Sequence, residues 1–289
     1  MSNAANPKDL QDRIAVVTGA NVGIGKVTAR ELAQRGARVL LACRSEAKAQ
    51  PVVEEIKEVT GNSQVEYIKL DLSDLSSVKS SADELKSRIS QLHILINNAG
   101  LAGQRGITAD GFELAFGVNH LGHYLYTRLL GDLLAASAPA RVVHVASKAH
   151  FRKSRINYED LQRSTKSLTA FSEYSVSKLA NVLFSAELAR RWEGTGVNSY
   201  SVHPGVIASN IWRRIPWPLR KLWTMRMITV EEGALTSLYC ATSDEVSNET
   251  GQYYDECKRA TANKVAADTA LAEELWEKSE RWCGDWLTA

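Results

Sequence analysis

Short runs of consecutive apolar residues, many of them β-branched, alternate along the chain with longer stretches in which apolar positions recur every three or four residues. A run that is apolar throughout cannot show either face to water, so it reads as a strand buried inside a sheet. The spaced pattern is the apolar stripe of an amphipathic helix. Strands are expected at 14–18, 38–43, 65–70, 93–97, 141–146, 197–203 and, last, 251–254. Between them the pattern predicts helices over 25–35, around 54–59, and over 78–89, 113–136, 171–192 and 231–242. This alternation implies an α/β fold, a Rossmann-type doubly wound parallel sheet with helices on both faces, in three layers. No linker or repeat divides the chain, so residues 1–289 read as one domain, interrupted only at about 204–230.

Composition narrows the class without altering this picture. Over 289 residues, 44% are hydrophobic and 24% charged, the balance of a soluble globular protein with a core of its own. A formal charge of +2 gives no footprint for nucleic acid, and no nucleic-acid recognition motif occurs. Cys43, Cys240, Cys257 and Cys283 are scattered, with no Cys-x-x-Cys pair, which favours a reducing, cytoplasmic setting over a disulfide framework. Residues 1–13 are polar, unlike a secretory signal, and no run approaches 18 consecutive apolar residues.

Doubly wound sheets bind ligands beyond the carboxyl ends of their strands, and the residues with chemical potential fall there. Thr18-Gly19-Ala20-Asn21-Val22-Gly23-Ile24-Gly25 follows the first strand and opens a helix. Glycines allow a tight turn, and a helix N-terminus offers free N–H groups to a pyrophosphate. A plain strand–helix connection is the other reading. At the end of the second strand, where an NAD site usually carries an acid, stands Arg44, with Lys48 nearby and no acid before Glu46. A guanidinium can stack on adenine and bind a 2′-phosphate, so NADP(H) is expected over NAD(H). An Arg on a solvated loop would look the same.

Tyr174 and Lys178 lie one helical turn apart in Tyr-Ser-Val-Ser-Lys. A phenol with its ordinary pKa of roughly 10 is a poor acid–base group at neutral pH, and a neighbouring ammonium favours its ionised form. Two surface residues at helical spacing would give the same pattern. Other polar residues punctuate the strand ends: Asn97-Asn98-Ala99-Gly100 after the fourth, Ser147 after the fifth, and His203-Pro204-Gly205 after the sixth. Asn119 lies on the long helix in Val-Asn-His-Leu-Gly-His-Tyr. His120 and His123 are three apart, but no acid or cysteine completes a set, so no metal site is expected.

In this order and spacing, from residue 14 to about 254, the motifs resemble the short-chain dehydrogenase/reductase family. The glycine turn matches its Thr-Gly-x-x-x-Gly-x-Gly. Leu-Ala-Cys-Arg, Leu-Asp-Leu-Ser-Asp-Leu, Val-Asn-His-Leu-Gly-His, Ser-Lys-Leu-Ala-Asn-Val-Leu-Phe and the wide interval from Ser147 to Tyr174 are similar to its retinol dehydrogenase and WW-domain oxidoreductase branch. Known members act mostly with NADP(H) on apolar alcohols, aldehydes or ketones, and some carry an N-terminal membrane anchor, which has no counterpart in residues 1–13. The resemblance implies that Tyr174 is the general acid–base, that Lys178 tunes it and binds the nicotinamide ribose, that Ser147 holds the substrate oxygen, and that Asn119 orders a water behind Lys178. It places Gly19, Asn21, Val22, Gly23, Ile24 and Gly25 at the phosphates and ribose, and Asp71 and Leu72 beside the adenine. Asn98, Ala99 and Gly100 line the cofactor cleft, and Pro204, Gly205, Ile207 and Ser209 lie toward the nicotinamide. A homodimer through the two long helices is implied too, although their apolar stripes would equally bury against the sheet of a monomer. The rival to an enzyme is a catalytically silent dinucleotide sensor or scaffold; the presence of Ser147, Tyr174 and Lys178 argues against it.

Residues 211–228 carry Trp212, Trp217, Trp223, Met225 and Met227 with five basic residues and no acid. In the family this region is the substrate lid, here suited to a bulky apolar substrate. Packing against another subunit and contact with a membrane surface are the other readings.

Overall fold

A computed structural model of the chain describes residues 8–206 and 228–288. Its centre is a sheet of eight strands: β1 (Ile14–Thr18), β2 (Arg38–Cys43), β3 (Val65–Lys69), β4 (Ile94–Asn97), β5 (Ala140–Val145), β6 (Val197–His203), β7 (Gln252–Asp255) and β8 (Lys258–Ala260). They lie in the order β3-β2-β1-β4-β5-β6-β7-β8. All neighbouring pairs are parallel except β7 with β8. Strand order reverses between β1 and β4, which pair through Val16↔Leu95 and Val17↔Ile96. That reversal is the topological switch point, where neighbouring connections diverge and leave a crevice.

The burial of each strand follows its place. Central β4 and β5 are almost wholly buried because helices cover both faces, which explains their unbroken apolar runs. Edge strand β3 buries Val65 and Ile68 and leaves Lys69 exposed. One core cluster fills each side of the sheet.

On these faces lie α1 (Gly23–Gln34), α2 (Glu46–Thr60), α3 (Leu75–Arg88), α7 (Phe171–Arg191) and α8 (Val230–Thr242), close to expectation. Helix α2 extends well beyond the expected 54–59, although Pro51 lies inside it and forgoes one helical hydrogen bond. Asp74 caps α3 by accepting from the N–H groups of Ser76 and Ser77, a contribution of about 1 kcal/mol.

Three expectations need correction. The helix predicted over 113–136 is interrupted: α4 (Leu114–Phe116) leads into a π-helical turn at Gly117–Leu121, followed by α5 (Gly122–Leu129) and α6 (Gly131–Ala136). At Gly117 a Cβ would lie 2.3 Å from Thr108 Cγ2, so only glycine lets the preceding loop pack there. The strand at 252–255 is not the last, since β8 returns beside it. Beyond it, α9 (Thr269–Leu287) was not anticipated. Asp268 caps α9, and Ala272, Leu275, Trp276, Ser279 and Cys283 form its buried stripe. Trp276 meets Tyr124 and Phe184 at ring distances of 5.2 and 5.8 Å, so α9 covers outward faces of α5 and α7.

Candidate active site

The glycine turn sits at the switch point. Gly19 has φ +66°, and a Cβ there would come within 2.9 Å of the Ala99 Cα. At Gly25 it would lie 2.6 Å from the Gly19 carbonyl oxygen. Both positions therefore need glycine for the turn to nest against the end of β4. The turn is bolted to β4 by Thr18, whose Oγ1 accepts the N–H groups of Asn98 and Ala99, each at 2.9 Å. Asn98 returns a bond from Nδ2 to the Thr18 carbonyl at 2.7 Å.

Outward, the same turn is bare. The N-cap of α1 is Val22, an exposed residue that offers no capping side chain, and the first turn holds no acid. A Cβ on Gly23 would meet nothing within 4 Å. By contrast, α3 and α8 satisfy their first N–H groups internally, through Asp74 and through the reciprocal pair Thr229 and Glu232. An uncapped helix start with a positive dipole end and clear space before it is suited to an anion. Arg44 stands exposed next door, at the end of β2, where Ser45 at the N-cap of α2 likewise makes no side-chain cap bond.

Past β4 the cleft continues to a polar cluster. Asn119 sits in the π-helical turn, fully buried, and its amide grips the loop after β4: Oδ1 accepts Leu101 N at 2.9 Å and Nδ2 donates to the Leu101 carbonyl at 3.0 Å. Nδ2 also donates to Ser177 Oγ on α7 at 2.9 Å. Between them lies Gly100, where a Cβ would be 3.3 Å from Asn119 Oδ1 and 3.5 Å from Lys178 Nζ. Lys178 is buried, and its ammonium donates to the Val145 carbonyl at the end of β5, 2.7 Å away. Its Nζ lies 5.7 Å from the centroid of the Tyr174 ring. Ser147, two residues past Val145, is the N-cap of a 3-10 turn at Lys148–Arg152 and faces the Tyr174 phenol.

Electrostatics sharpen the cluster. Contrary to the expectation of a lowered phenol, burial pushes Tyr174 up, and the neighbouring Ser147 hydroxyl only partly offsets this. Burial pushes Lys178 down to about 7, because no carboxylate compensates its charge. A buried amine that titrates near neutrality is common where chemistry is done.

The structure thus brings the glycine turn, Asn98, Ala99, Gly100, Asn119, Ser147, Tyr174 and Lys178 to one edge of the sheet. Pro204 and Gly205 follow β6 at the same edge. Asp71 and Leu72 lie past the end of β3. The Asp71 carboxylate is turned to Ser73 N and Oγ, and Leu72 is buried, its carbonyl 2.7 Å from where a Cβ on Gly122 would be. Ile207, Ser209 and the aromatic stretch up to Met227 lie outside the described residues. Among the described residues no group of three or more His, Cys, Asp and Glu side chains could hold a metal, and no helix is long and apolar enough to cross a membrane.

Sequence reasoning missed the supports behind the cluster. His123 joins Thr18 to the π turn, and His150 joins Ser147 to Asn263. The first histidine appeared only as a failed metal ligand. The second carried no signal beyond standing three residues after Ser147.

The sequence pattern of the short chain dehydrogenase family matches residues 13–159. Retinol dehydrogenase 12 of Homo sapiens is 48% identical over 273 residues, which cover 93% of this chain and 86% of that one. Human retinol dehydrogenase 11 is 46% identical over 274 residues, covering 93% and 85%. Among solved structures, an uncharacterized protein from Mycobacterium paratuberculosis is similar with a TM-score of 0.80 and 35% identity, covering 98% of this chain and 97% of that one. With this match spanning the sheet, the glycine turn and the Ser147–Tyr174–Lys178 cluster, the chain belongs to the short chain dehydrogenase family of oxidoreductases, in its retinol dehydrogenase branch.

Proposed function

We propose that this protein is an NADP(H)-dependent oxidoreductase that interconverts an apolar alcohol and its carbonyl, with Tyr174 as acid–base. The observation that carries the reading is the convergence of Tyr174, Ser147 and Lys178 at the carboxyl edge of the sheet, across Gly100 from the uncapped start of α1.

The protein groups fit a dinucleotide. The N–H groups of the glycine turn and the start of α1 suit the pyrophosphate, and Arg44 suits a 2′-phosphate. A nicotinamide bound along this edge supplies the hydride. The chain's own residues handle charge and protons. As negative charge grows on the substrate oxygen, the Ser147 and Tyr174 hydroxyls donate to it, and Tyr174 yields its proton. Ser147 can do so because its Oγ already accepts Ala149 N at 3.2 Å, which leaves its proton for the cleft. Lys178 supplies positive charge beside the phenol and favours its ionised form once the proton has left. Asn119 holds the loop carrying Gly100 and Leu101 against α7, keeping the floor of the cleft in register with Tyr174 and Lys178. The named relatives are retinol dehydrogenases, which supports a bulky apolar substrate class.

The test is a panel of apolar and polar aldehydes, ketones and alcohols assayed with both cofactors. Turnover of apolar members with NADPH or NADP supports the reading. A protein that binds NADPH and turns over nothing supports the sensor alternative.

A further inference from the structure

His150 has no part in the chemistry just described, yet every polar atom of its ring is committed. It is fully buried, clamped between the rings of Phe151 and Tyr253 at 4.1 and 4.9 Å. Its Nε2 lies 3.0 Å from the backbone N of Asn263. A backbone N–H can only donate, so Nε2 holds a lone pair and the ring proton resides on Nδ1. Nδ1 is 2.6 Å from the carbonyl oxygen of Ser147, which can only accept. That carbonyl also accepts the backbone N–H of His150 at 3.1 Å. Both hydrogen bonds to the Ser147 carbonyl therefore come from one residue.

The consequence is geometric. Two donors fix the plane of the peptide that follows Ser147, and with it the direction in which the Ser147 side chain leaves the backbone. The ring cannot swing away, because Asn263 is itself tied down: its Nδ2 donates to the carbonyls of His150 at 3.2 Å and Lys153 at 2.6 Å. Its Oδ1 accepts Val265 N at 3.3 Å, capping the turn at Lys264–Ala267.

We propose that His150, in its Nδ1–H form, is a positioning residue that aims the Ser147 hydroxyl at the substrate oxygen, with Asn263 as the anchor of the ring. This rests on the reading of Ser147 as a donor to that oxygen. A displacement of 1 Å at a reacting group can cost on the order of 10²-fold in rate, so the support is worth building into the fold.

Two substitutions separate the two ends of the ring. His150→Asn places an amide N–H near the position of Nδ1 and gives up the bond to Asn263. His150→Gln places an oxygen near the position of Nε2 and gives up the donor to Ser147. With NADPH and the best aldehyde of the panel, His150→Asn is expected to keep kcat within roughly threefold, while His150→Gln loses about 10- to 100-fold in kcat with KM for both substrates little changed. Ser147→Ala is measured alongside. Full activity in Ser147→Ala removes the reading of Ser147 and the inference with it. An inactive Ser147→Ala with both His150 variants matching the parent in kcat overturns the inference alone, as does an equal loss in the two variants. If neither variant melts cooperatively, ¹⁵N NMR of the parent decides. Protonated Nδ1 with unprotonated Nε2 on His150 supports the proposal, and the opposite tautomer overturns it.

Discussion

The hydroxyl of Thr18 determines which nitrogen of His123 carries the proton. Thr18 Oγ1 accepts two backbone N–H groups, from Asn98 and Ala99, which fills its lone pairs, so toward His123 Nε2, 2.8 Å away, it can only donate; the Ile96 carbonyl competes for that proton from a longer 3.4 Å. His123 Nδ1 is then the protonated nitrogen, and it donates to the Asn119 carbonyl at 3.1 Å. A single buried ring thus couples the glycine turn, the loop after β4 and the π turn that holds Asn119. Replacing His123 with alanine leaves the Thr18 hydroxyl and the Asn119 carbonyl without this partner and opens a cavity, at a cost of about 2–4 kcal/mol. We expect a lower melting temperature and weaker NADPH binding, because the ring ties the glycine turn to the π turn. Fluorescence titration and thermal melts measure both, and unchanged affinity would show that the coupling does not reach the turn.

Arg44 is exposed at the end of β2 and is followed by no acid until Glu46. Charge reversal there should disfavour a 2′-phosphate by replacing a planar donor with a repelling carboxylate. Arg44→Glu is expected to lower kcat/KM for NADPH by about 10²-fold or more and to leave that for NADH equal or improved, because each 1.4 kcal/mol of lost contact is worth tenfold. Equal efficiency with the two cofactors in the parent, unaltered in the variant, would remove Arg44 from the site.

Lys178 costs the fold stability in return for its function. Burial pushes its ammonium down to about 7 from an ordinary value near 10.5. Between those values the unfolded chain holds a proton that the folded one releases, so stability rises with pH across that window, and below it the full penalty applies. Its contact with the Val145 carbonyl is not irreplaceable, because Asn181 Nδ2 donates to the same oxygen at 3.2 Å. Lys178→Met should therefore melt at a higher temperature than the parent at pH 7, with the advantage vanishing above pH 10, while turnover is lost. A lower melting temperature at pH 7 would mean that the ammonium is a net structural asset.

Acid should unfold this protein early. All six of its histidines are held below their ordinary range, chiefly by burial, with His120 pushed down to about 3 and His123 and His203 to about 4. The unfolded chain protonates them near 6.5, so from pH 6.5 down to 4 unfolding takes up protons and stability falls. His123 alone accounts for a loss on the order of 3 kcal/mol over that window. Urea midpoints measured from pH 7.5 to 4.5 should drop steadily below 6.5, and His123→Asn should flatten the slope. Constant midpoints through pH 5 would contradict the burial of these rings.

Much of the fold was legible because periodicity reports burial. The bounds of β1, β2 and β6 match expectation to the residue: β1 and most of β2 are unbroken apolar runs, and β6 is buried along nearly its whole length although Asn198, Ser199 and Ser201 interrupt its apolar pattern. Helix α9 escaped because its apolar positions are spread among acids and bases, and the charged face outweighs the stripe when read by composition. The π turn escaped for a different reason. One extra residue in a helical turn barely shifts the apolar spacing, and the close approach of Thr108 to Gly117 is a contact across sequence. At the site, the polar residues after β4 and β5 and the one-turn pair Tyr174 and Lys178 on α7 carried signals of their own and could be named. His123 and His150 act through backbone carbonyls of other residues, and such a role leaves no mark on the sequence.

In the proposed reaction Tyr174 moves a proton to or from a substrate oxygen beside NADPH. The most direct measurement pairs steady-state NADPH oxidation by Tyr174→Phe, with the best aldehyde of the panel, and NADPH affinity of the same variant. Turnover is expected to fall by at least about 10²-fold with cofactor affinity unchanged, since the proposed role of the phenol hydroxyl is toward the substrate. Turnover close to that of the parent, with cofactor bound as tightly, would contradict it.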